Sequence, residues 1–212
     1  YPGPAGGMNW GGVAVDEQRQ LMVVNNMQLP FTIHMIPREE DRPTSEEVGF
    51  ASGYGVGGPQ RGTPYAARVD LFASPLSLPC LRPPYGEIAV VDLTTQQIVW
   101  RRGTGLLNLG FPSRGGSVIT KGGLIFNAGF SDGAFRAIDA LTGQVVWNET
   151  IQEPSQATPM TYTSPTTGRQ YVLMTAPSAE GPSEEITDFR DLPTSGKTDG
   201  PGGAVIAYAL PE

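Results

Sequence analysis

The sequence predicts an all-β fold: four-stranded antiparallel sheets set side by side as a partial β-propeller. Three observations carry this. One phrase occurs twice, a period of 47 residues separates the copies, and Gly and Pro punctuate the whole chain. Val90-Val91-Asp92-Leu93-Thr94-Thr95-Gln96-Gln97-Ile98-Val99-Trp100 returns, with drift, as Ala137-Ile138-Asp139-Ala140-Leu141-Thr142-Gly143-Gln144-Val145-Val146-Trp147. In each copy a short apolar strand ends at Asp, a Thr-bearing turn follows, and a second strand ends in Trp. A fixed period of this size is the signature of a repeat architecture. With 28 Gly and 20 Pro in 212 residues, the composition suits many short strands joined by tight turns. No stretch sustains the i, i+3, i+4 apolar spacing of a long helix.

The strands read off in order. Trp10–Val15 and Leu21–Asn26 flank the polar turn Asp16–Gln20, and Gly86–Asp92 and Ile98–Arg102 flank the turn Thr94–Gln97. These four make a first antiparallel unit. Ser117–Thr120 and Leu124–Ala128 flank Lys121-Gly122-Gly123, a strong hairpin turn. Phe135–Asp139 and Gln144–Glu149 complete a second unit. Pro159–Thr163, Gln170–Ala176 and Ala204–Leu210 give three strands of a last one. The blades are therefore expected over 10–102, 116–150 and 158–210. Two Pro- and Gly-rich stretches interrupt them, 28–85 in the first and 177–203 in the last. Structureless loops of such length are uncommon and usually functional or mobile.

Each repeated Asp can cap its turn through its side chain. Each repeated Trp can bury its ring against the adjoining blade. Both residues thus read as architecture. Two blades and three strands leave the ring open, and repeat units depend on neighbours for burial. The chain, which opens at Tyr1 without an initiator Met, is expected to be part of a larger ring or to pair with another chain.

The totals exclude several functions. Net charge is −7 with no basic run, which argues against nucleic-acid binding. No apolar run reaches the ~18 residues that span a bilayer, and no signal peptide opens the chain. Cys80 is the only cysteine and reads as a small buried thiol. His34 is the only histidine, which rules out a multi-His metal site. No nucleophile elbow accompanies it, so no Ser-His-Asp triad is expected. It reads as a surface or interface residue.

The Asp…Thr-Gly…Trp phrase resembles the tryptophan-docking motif of quinoprotein dehydrogenases. Around it the chain resembles, in order and nearly end to end, the C-terminal part of the membrane-bound PQQ-dependent dehydrogenases of the glucose/quinate/shikimate family. Gly6-Gly7-Met8-Asn9-Trp10-Gly11-Gly12 resembles the family's Asn-Trp segment. Gly62-Thr63-Pro64-Tyr65, Ser74-Pro75-Leu76-Ser77-Leu78-Pro79-Cys80 and Pro83-Pro84-Tyr85-Gly86 resemble its long insertion. The stretch from Gly115 to Phe126 is similar to its next blade. Gln156–Tyr162, Gly168–Val172 and Val205–Pro211 are similar to its C-terminus.

The resemblance implies an eight-bladed propeller holding pyrroloquinoline quinone (PQQ) and a divalent cation, Ca²⁺ or Mg²⁺, near its axis. It implies oxidation of a sugar or cyclic polyol in the periplasm, with electrons passed to ubiquinone by a parent anchored in the inner membrane. The catalytic Asp, the active-site Lys and the metal ligands of the family match nothing in this chain and are expected upstream of Tyr1. The segment alone is expected to be inactive.

Three residues are carried over as cofactor-facing, and each also reads as structure. Asn9 offers amide donors and an acceptor to a ring bearing carbonyls and carboxylates, or forms a turn in a Gly-rich stretch. Trp10 borders the pocket or packs in the blade. Asp132 matches an acidic position near the cofactor, or belongs to an Asp-Gly turn. Arg136 reads as a strand-surface charge or an ion-pair partner. Glucose-oxidising members commonly carry Gly-Gly-His-Gly near the C-terminus. This chain has Ala176-Pro177-Ser178-Ala179-Glu180-Gly181 there, so a quinate-like or other polyol is at least as good a candidate. The rival reading is a periplasmic propeller that binds proteins through its acidic, loop-rich insertions and holds no cofactor.

Overall fold

The structure is a computed structural model of the 212-residue chain. It describes residues 6–37, 63–105, 109–128, 133–151, 155, 157–176 and 204–210. The described residues are all-β and form an arc consistent with a partial, unclosed β-propeller. The first sheet contains β1 (Gly6–Gly7), β2 (Val13–Asp16), β3 (Leu21–Gln28), β6 (Gly86–Asp92) and β7 (Gln97–Gly103). Both β1 and β2 pair with β3, and β6 and β7 follow it. The second sheet runs β8 (Ser117–Ile119), β9 (Leu124–Ala128), β10 (Ala134–Asp139) and β11 (Val145–Thr150) in simple meander order. The third has β12 (Met160–Thr163), β13 (Gln170–Ala176) and β14 (Ala204–Tyr208).

Alternation decides which faces are buried. Along β3 every second residue from Leu21 is buried, as a strand with one face in a core requires. Leu21, Val23, Ile88 and Val90 of the first sheet pack with Ile125, Ile138 and Ala140 of the second. Ala128, Phe135 and Ile151 pack with Val172 and Met174 of the third. Each core therefore lies between two sheets, so neighbours hold one another.

The turns at one end of the sheets share a single construction. Asp92 Oδ1 accepts from the backbone N–H of Thr94 and Thr95 at 2.7 and 3.0 Å. Asp139 Oδ1 accepts from Leu141 and Thr142 at 3.0 and 2.8 Å. Asp16, whose turn the repeat phrase does not include, does the same for Gln18 and Arg19, both at 3.0 Å. The fourth residue after each Asp is left-handed: Gln20 at φ 54°, Gln96 at 58° and Gly143 at 71°.

Trp100 reaches from β7 into the second sheet. Its Nε1–H donates to Ala140 O at 2.8 Å, and its ring covers Gly143. A Cβ on Gly143 would fall 2.7 Å from the indole Cδ2. Trp147 meets Phe135 edge-on at 5.8 Å and 89°, and Tyr208 of the third sheet at 5.3 Å and 68°.

The structure departs from the sequence reading in several places. The strand expected from Trp10 is β2 and begins at Val13: Gly12 N donates to Asn9 O at 3.0 Å, closing a turn, and Gly12 at φ 61° breaks the extension. Cys80 is exposed rather than buried. The stretch 28–85 is not wholly loop. It holds a strand pair, β4 (Phe31–Pro37) with β5 (Tyr65–Leu71), in register from Phe31↔Leu71 to Pro37↔Tyr65. His34 is exposed on this hairpin, where Arg68 Nη2 lies 3.3 Å from its Nδ1. The loop 177–203 lies outside the described residues.

Candidate functional site

Asn9 and Trp10 belong to the end of the sheets opposite the Asp turns. There the connections entering β2, β8 and β12 converge. Gly116 is the meeting point: a Cβ on it would overlap Gly11 of the first connection and Thr158 of the third. A Cβ on Gly11 would likewise overlap the backbone of Gly115 and Gly116. Only residues without side chains let these backbones approach so closely.

Two buried asparagines fix the central connection from both sides. Asn25 on β3 donates through Nδ2 to Ser113 O at 3.2 Å and also to Gly115 O. Asn127 on β9, fully buried, donates to Gly116 O at 3.3 Å and Ser117 Oγ at 3.2 Å. Both side-chain oxygens, Asn25 Oδ1 and Asn127 Oδ1, are buried without a hydrogen-bond partner among the described residues. Buried acceptors in this state are uncommon in folded proteins. The sequence reading passed over both residues. The available signal was a carboxamide inside otherwise apolar strands, Val23-Val24-Asn25 and Ile125-Phe126-Asn127.

Asn9 and Trp10 sit on the turn that leads to Gly11. Asn9 is half-buried, and its Oδ1 accepts the Trp10 backbone N–H at 2.8 Å. Part of its hydrogen-bonding capacity therefore shapes the turn. Trp10 is 66% exposed among the described residues, so the described blades leave most of its ring uncovered. The Arg114 guanidinium lies 5.8 Å from the indole centroid, within cation–π range. Asp132 lies outside the described residues. Arg136 is not a surface charge: it is half-buried and lines a small cavity between the first two sheets.

A wider, open groove of ≈ 280 Å³ lies at the opposite end, between the Asp16 turn and Thr120-Lys121. Arg19 bridges across beside it, with Nη1 2.7 Å from Asp16 Oδ2 and 2.9 Å from Lys121 O. The Arg19 side chain, first, and the turn N–H groups hold the Asp16 carboxyl below its usual range. This groove is bounded by the turn machinery and is remote from Asn9 and Gly116. Among the described residues no cluster of His, Cys, Asp and Glu has the makings of a metal site.

Comparison with known proteins supplies the context for these loops. Residues 1–172 match the PQQ glucose/ethanol/alcohol dehydrogenase β-propeller domain. The chain belongs to this family of quinoprotein propellers. It is 35% identical over 227 residues to a probable quinate dehydrogenase (quinone) of Xanthomonas campestris pv. juglandis, spanning 100% of this chain and 27% of that protein. It is 32% identical over 229 residues to the quinoprotein glucose dehydrogenase of Escherichia coli K12, spanning 100% of this chain and 26% of that protein. The quinohemoprotein alcohol dehydrogenase of Comamonas testosteroni superposes with a TM-score of 0.56 at 25% identity, over 82% of this chain and 23% of that one. This quinoprotein propeller chain thus spans about a quarter of the length of the relatives it matches. No helix among the described residues is long and apolar enough to cross a membrane.

The donor set at the converging loops fits a planar polycarboxylate quinone. An exposed indole face offers stacking, a neighbouring guanidinium offers charge, and carboxamides offer directional hydrogen bonds.

Proposed function

We propose that this chain forms the C-terminal arc of an eight-bladed PQQ-dependent dehydrogenase of the glucose/quinate/shikimate type. In this reading the blades are 10–102, 116–150 and 158–210, and Trp100 and Trp147 are the docking tryptophans between them. The parent oxidises a sugar or cyclic polyol in the periplasm, is anchored in the inner membrane, and passes electrons to ubiquinone. The observation that carries the proposal is the likeness to a quinate dehydrogenase along the whole of this chain.

When bound, the quinone supplies the chemistry by accepting two electrons from the substrate alcohol. This chain's part is to hold and orient it. The Trp10 indole would support the cofactor by stacking, and Asn9 Nδ2 would donate to it while Asn9 Oδ1 keeps the turn closed. Asp132 completes the cofactor-facing set. Gly116 and the clamps of Asn25 and Asn127 keep the loops at fixed spacing. The proton-abstracting base and the ligands of the Ca²⁺ or Mg²⁺ ion belong to other parts of the parent, so this segment alone is inactive. Without the Gly-Gly-His-Gly stretch, quinate or a related polyol is at least as good a candidate substrate as glucose.

The test is reconstitution of the full-length protein with PQQ and Ca²⁺ or Mg²⁺, read by quinone absorbance and by dye reduction over a panel of polyols. Asn9→Ala and Trp10→Ala are expected to weaken PQQ uptake roughly tenfold, the scale of one lost hydrogen bond or stacking contact. Unchanged uptake in both variants would remove these residues from the cofactor site. No uptake by the unmodified protein would leave the partner-binding propeller as the better account.

A further inference from the structure

Trp10 and Arg114 are brought together by two backbones that carry no side chains where they meet. A Cβ on Gly11 would overlap the backbone of Gly115 and Gly116, so the connection entering β2 touches the connection entering β8 at this point. Trp10 precedes Gly11, and Arg114 precedes Gly115. The two large side chains therefore leave adjacent backbones. The guanidinium carbon lies 5.8 Å from the indole centroid as a result.

The backbone beneath Arg114 is fixed. Asn25 Nδ2 donates to Ser113 O at 3.2 Å and to Gly115 O, one residue on each side of Arg114. Asn127 Nδ2 donates to Gly116 O at 3.3 Å. Ser113, Gly115, Gly116 and Ser117 are buried, and Arg114 alone in this run is half-buried. The clamps thus leave one side chain of the run to lean out beside the indole. A guanidinium is planar and always charged, which suits it to an aromatic face. The chain as a whole carries −7, a background that repels a polycarboxylate, and a cation held at the indole offsets it locally.

We propose that Arg114 is a positioning residue for the cofactor site, holding the Trp10 indole in place through a cation–π contact. The proposal rests on the reading of Trp10 as cofactor-facing. Arg114 acts through the indole and not on the cofactor itself, so its effect disappears once the indole is removed. Asn25 acts one step further back, by fixing the backbone on either side of Arg114. The strength of a cation–π contact at an exposed site sets the scale, about two- to fivefold in affinity.

The experiment uses the full-length protein and two readouts. Without PQQ, the emission of Trp10 is isolated as the difference between the unmodified protein and Trp10→Phe. Arg114→Gln is expected to lower the anisotropy of that emission and raise its quenching by acrylamide, and Arg114→Lys, which keeps the charge, to fall between. The second readout is PQQ affinity, from quinone absorbance. Arg114→Gln is expected to weaken it about two- to fivefold, Arg114→Lys less, and Arg114→Gln in a Trp10→Ala background not at all beyond Trp10→Ala alone. Unchanged Trp10 emission or unchanged affinity in Arg114→Gln overturns the proposal and leaves the PQQ reading standing. An equal loss with and without the indole also overturns it, because Arg114 then acts on the cofactor directly. No PQQ uptake by the unmodified protein overturns the cofactor reading, and this proposal with it. If Arg114→Gln fails to fold, Arg114→Lys carries both comparisons.

Discussion

Gly143 and Trp100 are expected to be thermodynamically coupled, and the coupling has a definite size. Gly143 is left-handed at φ 71°, and a Cβ there meets the indole at 2.7 and 2.9 Å. Gly143→Ala therefore carries two costs. A left-handed alanine costs about 1–2 kcal/mol. Displacing a packed ring costs about 1–3 kcal/mol more. Trp100→Ala removes the ring, which packs against the core of Leu21, Val23, Ile125 and Ile138, and its hydrogen bond to Ala140 O. That change is expected to cost about 3–5 kcal/mol. Once the ring is gone, the methyl group added at position 143 no longer meets it, so the second glycine cost disappears. The double variant is expected to be more stable than the sum of the singles implies by about 1–3 kcal/mol. Urea unfolding of wild type, both singles and the double measures the cycle. Strict additivity would show that the ring does not rest on Gly143 in solution.

The same geometry sets a companion expectation at Gln96, which is left-handed at φ 58°. Gln96→Gly is expected to stabilise by about 0.5–1 kcal/mol, the left-handed cost less the entropy of glycine, read as a higher urea midpoint. Acid titration separates the turn aspartates from ordinary surface carboxylates. The Thr142 N–H and hydroxyl hold the Asp139 carboxyl below its usual 3.8, so its stabilising contribution is present above that value and lost as pH falls through the lower folded pKa. Asp139→Asn is expected to flatten the fall of Tm below pH 4, and an unchanged slope would remove the turn from the acid response. Tyr208 behaves in the opposite sense. Burial, and then Glu149, raise its pKa, so its contribution is intact below pH 10 and lost above. Tyr208→Phe is expected to lessen the alkaline fall in Tm. At the converging loops, Gly116→Ala is expected to cost about 2 kcal/mol or more, because Gly11 O and Thr158 Oγ1 already occupy the space. Hydrogen exchange at residues 113–117 is the readout.

Much of the fold was legible because the repeat is written in residues with local work to do. Asp92 and Asp139 make their turns through their own side chains, so the phrase predicts the hydrogen bonds directly. The third copy of that turn, at Asp16, was visible only as polarity, since no Trp follows it. The β4–β5 pair escaped because its halves are separated by residues 38–64, and strand pairing over such distance leaves no local signal. At the site, the Asn9 turn follows from the Gly-rich composition. The start of β2 does not, because it is set by the left-handed backbone at Gly12 and by Gly11 meeting Gly116 on a connection far along the chain. Asn25, Asn127 and the buried position of Arg136 were hidden for the same reason. What they meet lies on a facing sheet or on a connection far along the chain, as Ser113 and Gly115 do for Asn25.

The excursion between β3 and β6 leaves and returns at one point. Met27 pairs with Gly86, Gln28 N donates to Tyr85 O at 2.9 Å, and Gln28 Nε2 donates to Pro84 O at 2.6 Å. The blade is thus sealed beneath the insertion like a loop tied off at its neck. Closing nearly sixty residues instead of a four-residue turn costs roughly 2 kcal/mol of chain entropy. Val69, Ala66 and Ala67 of the hairpin are buried, and their packing offsets part of that cost. The insertion is thereby a detachable module, one that can be exchanged or excised with a short turn in its place while the sheet below keeps its register.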